Sequence, residues 1–303
     1  MRFIAPILTF LFLFSCGKKY PIPPEYDYSL PPEESYVLVD EWPGDREYEL
    51  TNMSDVIVGE DGFIYALTEN DVKKLFENGQ LNAVIIGGLT SPSAIQQDKM
   101  RNIYIADGEK VKLFNRNGDS IYAFRDTFLV ETSGITTDGE KIFVSDSERD
   151  LVLSYDSLGN LIDTVVSYGA GILNVDRPLD LYIWKNRIFI VSSGHNWVEA
   201  ISTSIPRVNL LHLGGESHDG DTLPGYFINP VDVAVDDSGC VYVAEVGNQR
   251  IQKFDMCGNF VVETELSEAP VSVGVSSDGR SLYVGFTDRI EKYKRPETPG
   301  EVE

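Results

Sequence analysis

Three aspartates stand at one recurring place in this chain. Asp55, Asp180 and Asp232 each open a short apolar phrase, in Asp55-Val56-Ile57-Val58, Asp180-Leu181-Tyr182-Ile183 and Asp232-Val233-Ala234-Val235. If the fold brings them together, their charges repel and raise one another's pKa unless a cation joins them. One role is therefore a hard-cation site, with calcium the implied divalent ion, or an acidic mouth for an amine-bearing ligand. The other role is structural: each carboxylate accepts backbone N–H bonds and locks neighbouring units together. Residue type alone leaves both open.

Other polar residues join this group. His195 and Trp197 sit in one turn-like segment, and Trp197 offers either an aromatic platform or a cap on a sheet edge. His218 lies with Asp219 and Asp221 in Gly214–Asn229, a glycine-rich acidic stretch longer than an ordinary connection. Long loops on a rigid scaffold are where binding concentrates. Asp107, Asp146 and Glu245 each end an apolar run, where an acid commonly organises a tight turn. No complete catalytic set is present. Ser192-Ser193-Gly194-His195 lacks the Gly-x-Ser-x-Gly pattern of a nucleophile elbow. Gly214-Gly215 precedes a loop and is no phosphate cradle, and there is no CxxC.

The elements that must position these residues repeat six times. The clearest copy runs from Pro230 to Asp255: strand, glycine turn, strand, polar turn, strand. Its first strands begin at Asp55, Ala94, Gly134, Asp180, Asp232 and Ser272, at spacings of 39, 40, 46, 52 and 40 residues. A repeat near 40 residues means small sheets that bury their faces only against one another. Second strands such as Val241-Tyr242-Val243-Ala244 are apolar throughout, as for strands covered on both faces. Third strands such as Ile251-Gln252-Lys253-Phe254 alternate, which predicts one exposed face. Asn78-Gly79, Asn117-Gly118, Gly159-Asn160 and Gly258-Asn259 mark hairpins into fourth strands. The sixth repeat lacks its fourth strand, and an orphan strand, Tyr36–Asp40, precedes the first repeat. The expectation is an all-β, six-bladed β-propeller of four antiparallel strands per blade, its last blade closed by the N-terminal strand. First-strand starts and second-strand ends then share one face. Asp55, Asp180, Asp232, His195, Trp197 and His218 become candidate binding residues at its channel mouth.

The wording resembles the NHL-repeat family of six-bladed propellers. The fifth copy carries the likeness: Gly214-Gly215-Glu216, Phe227, Pro230, Val241–Glu245 and Asn248-Gln249-Arg250-Ile251. The resemblance covers about 260 residues and implies fold far more than function. Similar propellers include amidating lyases with channel histidines. Here His195, His212 and His218 all fall in the fourth copy or just after it, so a three-histidine zinc site is not expected. Gluconolactonase-like enzymes use carboxylates around one divalent cation. That comparison keeps a metal-assisted hydrolase or lyase, using Asp55, Asp180 and Asp232, as the alternative function.

The ends of the chain suggest an address. Residues 1–16 have Arg2, an apolar run Phe3–Phe14 too short to span a bilayer, and Leu13-Phe14-Ser15-Cys16, which resembles a bacterial lipobox. Cys16 is the expected lipidation site. Residues 17–35, rich in Pro and Glu, read as an extended tether, 36–295 as the propeller and 296–303 as a tail. The remaining cysteines, Cys240 and Cys257, are expected to form a disulfide across two strands of one repeat. The formal charge of −23 argues against nucleic acid and anionic membrane surfaces. The expected protein is a monomeric, lipid-anchored binding or scaffold protein of the bacterial cell envelope, facing periplasm or exterior. It touches the membrane through the anchor only and recognises an envelope protein, peptide or glycan.

Overall fold

The computed structural model describes residues 35–215 and 220–296. Cys16, most of the tether, His218 and the end of the tail lie outside them. Six antiparallel sheets form six blades around one axis. Blade one is Asp55–Val58, Ile64–Leu67, Asp71–Leu75 and Leu81–Gly87, and the others repeat this order outward from the axis. In blade six, Ser272–Val275, Ser281–Gly285 and Ile290–Lys294 are completed by Val37–Trp42 from the start of the domain. Each inner strand touches the inner strand of the next blade, and the sixth touches the first. The ring closes as the repeat count requires.

The core is divided by the same symmetry. Six buried apolar clusters occur, one at each seam between blades. Trp42, fully buried, fills the seam of blades six and one against Tyr283. Tyr36 fills the seam of blades five and six, where its hydroxyl donates to the Gly279 carbonyl at 2.5 Å. The N-terminal segment Tyr36–Trp42 therefore seals two seams as well as one sheet edge.

The glycine turns serve these seams too. Gly118 has φ +87°, and a Cβ there would strike the Ile85 carbonyl on the outer strand of blade one. Each such turn is longer than a two-residue hairpin. In blade three Asp156 accepts the N–H groups of Leu158 and Asn160 through Oδ1, and Gly159 takes positive φ.

Third strands depart from expectation. Lys253 and Lys292 are 5 and 6 % exposed, and Gln252 is fully buried. Alternation survives because polar partners, rather than water, meet the polar side. Lys74, Lys253 and Lys292 pair across the sheet with Tyr65, Tyr242 and Tyr283, and each ammonium lies 5.3–5.7 Å from its ring. Exposure by alternation begins one strand farther out, in strands such as Ser120–Arg125. Blade three also carries a short fifth strand, Asn174–Val175, parallel to its fourth.

Candidate functional site

The inner strands bring Asp55, Asp180 and Asp232 to the axis, where all three line one narrow channel with Ser272's neighbour Val273. Asp55 and Asp232 are each 7 % exposed. Their equivalents in the other blades are Ala94, Gly134 and Ser272. Each polar member reaches across a seam. Asp55 accepts the Ile95 N–H at 2.8 Å, Asp180 the Val233 N–H at 3.2 Å and Asp232 the Val273 N–H at 2.5 Å. Ser272 closes the circuit, donating its hydroxyl to Asp55 at 2.6 Å and accepting the Val56 N–H at 3.0 Å. At the seams of Ala94 and Gly134 the hydroxyls of Ser93 and Ser133 substitute, donating to the carbonyls of Thr132 and Pro178. The aspartates thus act as clamps between blades.

Burial first, and the nearby Asp232 carboxylate second, push Asp55 up to about 7. The same causes, with a direct hydrogen bond to Asp232, hold Asp180 well above the usual carboxylate range. A protonated Asp180 donating to Asp232 relieves the repulsion without a cation. The channel volume open to water is about 30 Å³, enough for a water or two and for no organic ligand.

The arrangement of these three residues gives a calcium or other metal site no support. Both oxygens of Asp55 and both of Asp232 face protein donors. Among the described residues no group of three or more His, Cys, Asp or Glu is arranged to hold a metal. Repulsion is met by protons and N–H groups instead.

His195 and Trp197 are placed differently from expectation. Each is only 3 % exposed, so neither forms a surface platform. The Ser192 hydroxyl meets His195 Nδ1 at 2.9 Å, and the Trp197 ring lies 4.2 Å from that of His195 and 5.0 Å from that of His212. Trp197 starts a third strand, and third strands are covered on both sides.

The acids ending second strands organise loops. Asp107 accepts the N–H groups of Thr90 and Ser91 and pairs with Lys112. Asp146 accepts four N–H groups, from Val130, Glu131, Glu148 and Arg149. Glu245 accepts from Ile228, Asn248, Arg250 and Gln252. Ser192 does the same work in blade four, binding the Asp176 backbone.

Sequence reasoning missed what the Asn-Gln-Arg phrase does. Arg250, 5 % exposed, donates to the carbonyls of Thr222, Leu223 and Tyr226 at 2.8–3.2 Å and to Glu263 at 2.7 Å. Gln252 binds the Tyr226 carbonyl and the Gly225 N–H, and Asn248 the Asp221 carbonyl. The described part of the long loop, 220–229, is thereby pinned. The visible signal was a cation three residues before Lys253, which period-two alternation places on the opposite face of the same strand.

The expected Cys240–Cys257 disulfide does not form: Cys240 is a free thiol. Val241 pairs with Phe254, so Cys240 falls opposite Asp255, while Cys257 lies two residues farther around the turn. The Cys257 N–H is instead fixed by Asp255, and the Ser238 hydroxyl donates to the Cys240 sulfur.

Comparison with known proteins agrees with this geometry. The NHL repeat family matches residues 227–254, the segment that includes the loop end, Glu245 and the Asn-Gln-Arg phrase. The chain is a six-bladed propeller, and one segment of its fifth blade matches the NHL repeat. Human NHL repeat-containing protein 3 is 28 % identical over 193 residues, spanning 60 % of this chain and 54 % of that protein. The chain thus spans about half the length of that relative. Among solved structures, the propeller resembles the WD40 propeller domain of Doa1, with a TM-score of 0.62 at 10 % identity over 87 % of this chain and 98 % of that one. It also resembles a streptogramin B lyase, with a TM-score of 0.60 at 11 % identity over 86 % and 98 %. These last two likenesses are of fold alone. A fold shared by a WD40 domain and a lyase does not choose between binding and catalysis.

Proposed function

We propose that this propeller is a binding or scaffold protein, held at the bacterial cell envelope by a lipid on Cys16, that presents its mouth face to an envelope partner. The polarity of blade six carries the reading. The closing strand runs from Val37, opposite Lys294, to Trp42, opposite Ile290. Ile290 follows the mouth-face turn at 286–289, so the chain enters the propeller from the opposite face. A tether over 17–35 would then approach from beneath, leaving the loop-bearing face turned away from the membrane. The axial carboxylates support this over hydrolysis, because their oxygens are already engaged as clamps.

The test is a photo-crosslinking residue placed at exposed Asn229 on the mouth face or at exposed Asp138 on the far face, in the full chain expressed in bacterial cells. Adducts with an envelope component from position 229 and not from 138 support the reading. Adducts from neither, or equally from both, overturn it. Cys16→Ser should in parallel abolish incorporation of labelled palmitate.

A further inference from the structure

The mouth face is not uniform. Among the described residues its exposed large apolar side chains are Phe128, Tyr168, Ile172 and Leu223, between 48 and 68 % exposed. All four lie at the mouth around blades three to five: Phe128, Ile172 and Leu223 on connecting segments, and Tyr168 at the end of the outer strand Leu161–Tyr168. The remaining exposed large apolar residues belong to outer strands or far-face turns. On the other half of the mouth, Leu89 in the corresponding loop is buried.

These loops form one continuous crest. The Arg149 guanidinium donates to the Thr127 carbonyl, and the Ser147 N–H to that of Glu131. The Arg177 N–H donates to Asp150 at 2.6 Å, and its guanidinium reaches Asn229 at 3.3 Å. The loop bearing Leu223 is anchored by Arg250. The apolar groups therefore ride on a fixed surface.

Charge on the crest is one-sided. Asp126, Glu131, Glu148, Asp150, Asp176 and Asp221 are exposed or partly exposed, against Arg149 and Arg177. Both arginines spend donors on the crest itself. Exposed apolar groups set among uncompensated acids suit a partner that brings cations and apolar side chains together. Anionic lipid and nucleic acid are repelled by the same field.

We propose that the crest over blades three to five binds a cationic, apolar-bearing peptide segment of the partner, an inference that rests on the binding reading above. The probe is a short fluorescent lysine–leucine peptide, titrated against the purified chain by anisotropy. Phe128→Ser/Tyr168→Ser/Ile172→Ser should weaken it at least about tenfold, as should Glu131→Gln/Glu148→Gln. Val84→Ser/Ile121→Ser, on outer strands, should leave it unchanged. A lysine–serine peptide of equal charge should bind at least about tenfold more weakly. Equal binding of both peptides, wild-type affinity in either crest variant, or no binding overturns the proposal. Adducts from position 229 with an inert lysine–leucine peptide would remove only the partner's chemistry. Absence of adducts removes the binding reading with it.

Discussion

Asp55 in blade one accepts the backbone N–H of Ile95 in blade two at 2.8 Å, while its other oxygen takes the hydroxyl of Ser272 in blade six. One carboxylate therefore holds three consecutive blades. Asp180 and Asp232 each bridge one seam in the same way, from blade four to five and from blade five to six. The cost is electrostatic, since three carboxylates share a channel with room for a water or two.

That cost gives a pH dependence with a definite sign. Asp55 is held at about 7, and Asp180 also lies high. An unfolded Asp titrates near 4, so between about pH 4 and 7 the folded chain binds the extra protons and stability falls as pH rises. Asp55 alone weakens the fold by up to about 4 kcal/mol above pH 7. Carboxylates with lowered pKa, such as Asp107 with Lys112 beside it, act oppositely, so the informative quantity is a difference. Asp180→Asn cannot ionise, yet keeps an acceptor for Val233 and a donor for Asp232. Urea unfolding should find it more stable than wild type at about pH 8, by roughly 1–3 kcal/mol, with the gap closing towards about pH 4. A gap independent of pH would remove the proton from the account.

Much of this frame was legible in the repeat. Spacing near 40 residues fixed the number of blades, and an orphan strand before the first repeat together with a missing fourth strand in the last required their union in blade six. The three aspartates were visible as equivalent positions because inner strands keep one register relative to the axis. What the repeat could not show was the partner of each polar group. Lys253 looked solvent-facing by alternation, because a ring face gives the same period as water. Cys240 and Cys257 looked opposed because a turn's residues count in sequence but not along a strand.

Arg250 should behave as the anchor of the mouth loop. Its guanidinium satisfies three loop carbonyls and two carboxylates from a buried position. Arg250→Ala leaves Glu245 buried without its cation, a loss of about 3–5 kcal/mol. Arg250→Lys keeps the charge and loses the fork, so an intermediate loss is expected. Limited proteolysis should cut within 220–229 faster in both variants than in wild type, before global unfolding. Unchanged cleavage there would mean the loop is held by other contacts.

Gly118 and Gly62 separate two demands made on turn glycines. Both have positive φ, but a Cβ at 62 meets open space while one at 118 strikes the Ile85 backbone. Gly62→Ala should cost about 1 kcal/mol, the ordinary left-handed penalty. Gly118→Ala adds a clash that only movement of blade one against blade two relieves, and should cost at least about 2 kcal/mol more. Thermal melts of the two variants make the comparison, and equal losses would show that the seam yields.

Cys240 offers the last check, because a free thiol and a bridging cysteine differ in energy. Its sulfur accepts from Ser238, and burial raises the thiol's pKa. A serine at this place keeps a small polar acceptor of similar shape. Cys240→Ser should therefore shift stability by less than about 1 kcal/mol, whereas removing a native bridge costs about 2–5 kcal/mol. Denaturant midpoints with and without reductant should also differ no more in the variant than in wild type. A large loss confined to oxidising conditions would place Cys240 in a bridge and require a shifted register between Val241–Glu245 and Arg250–Phe254.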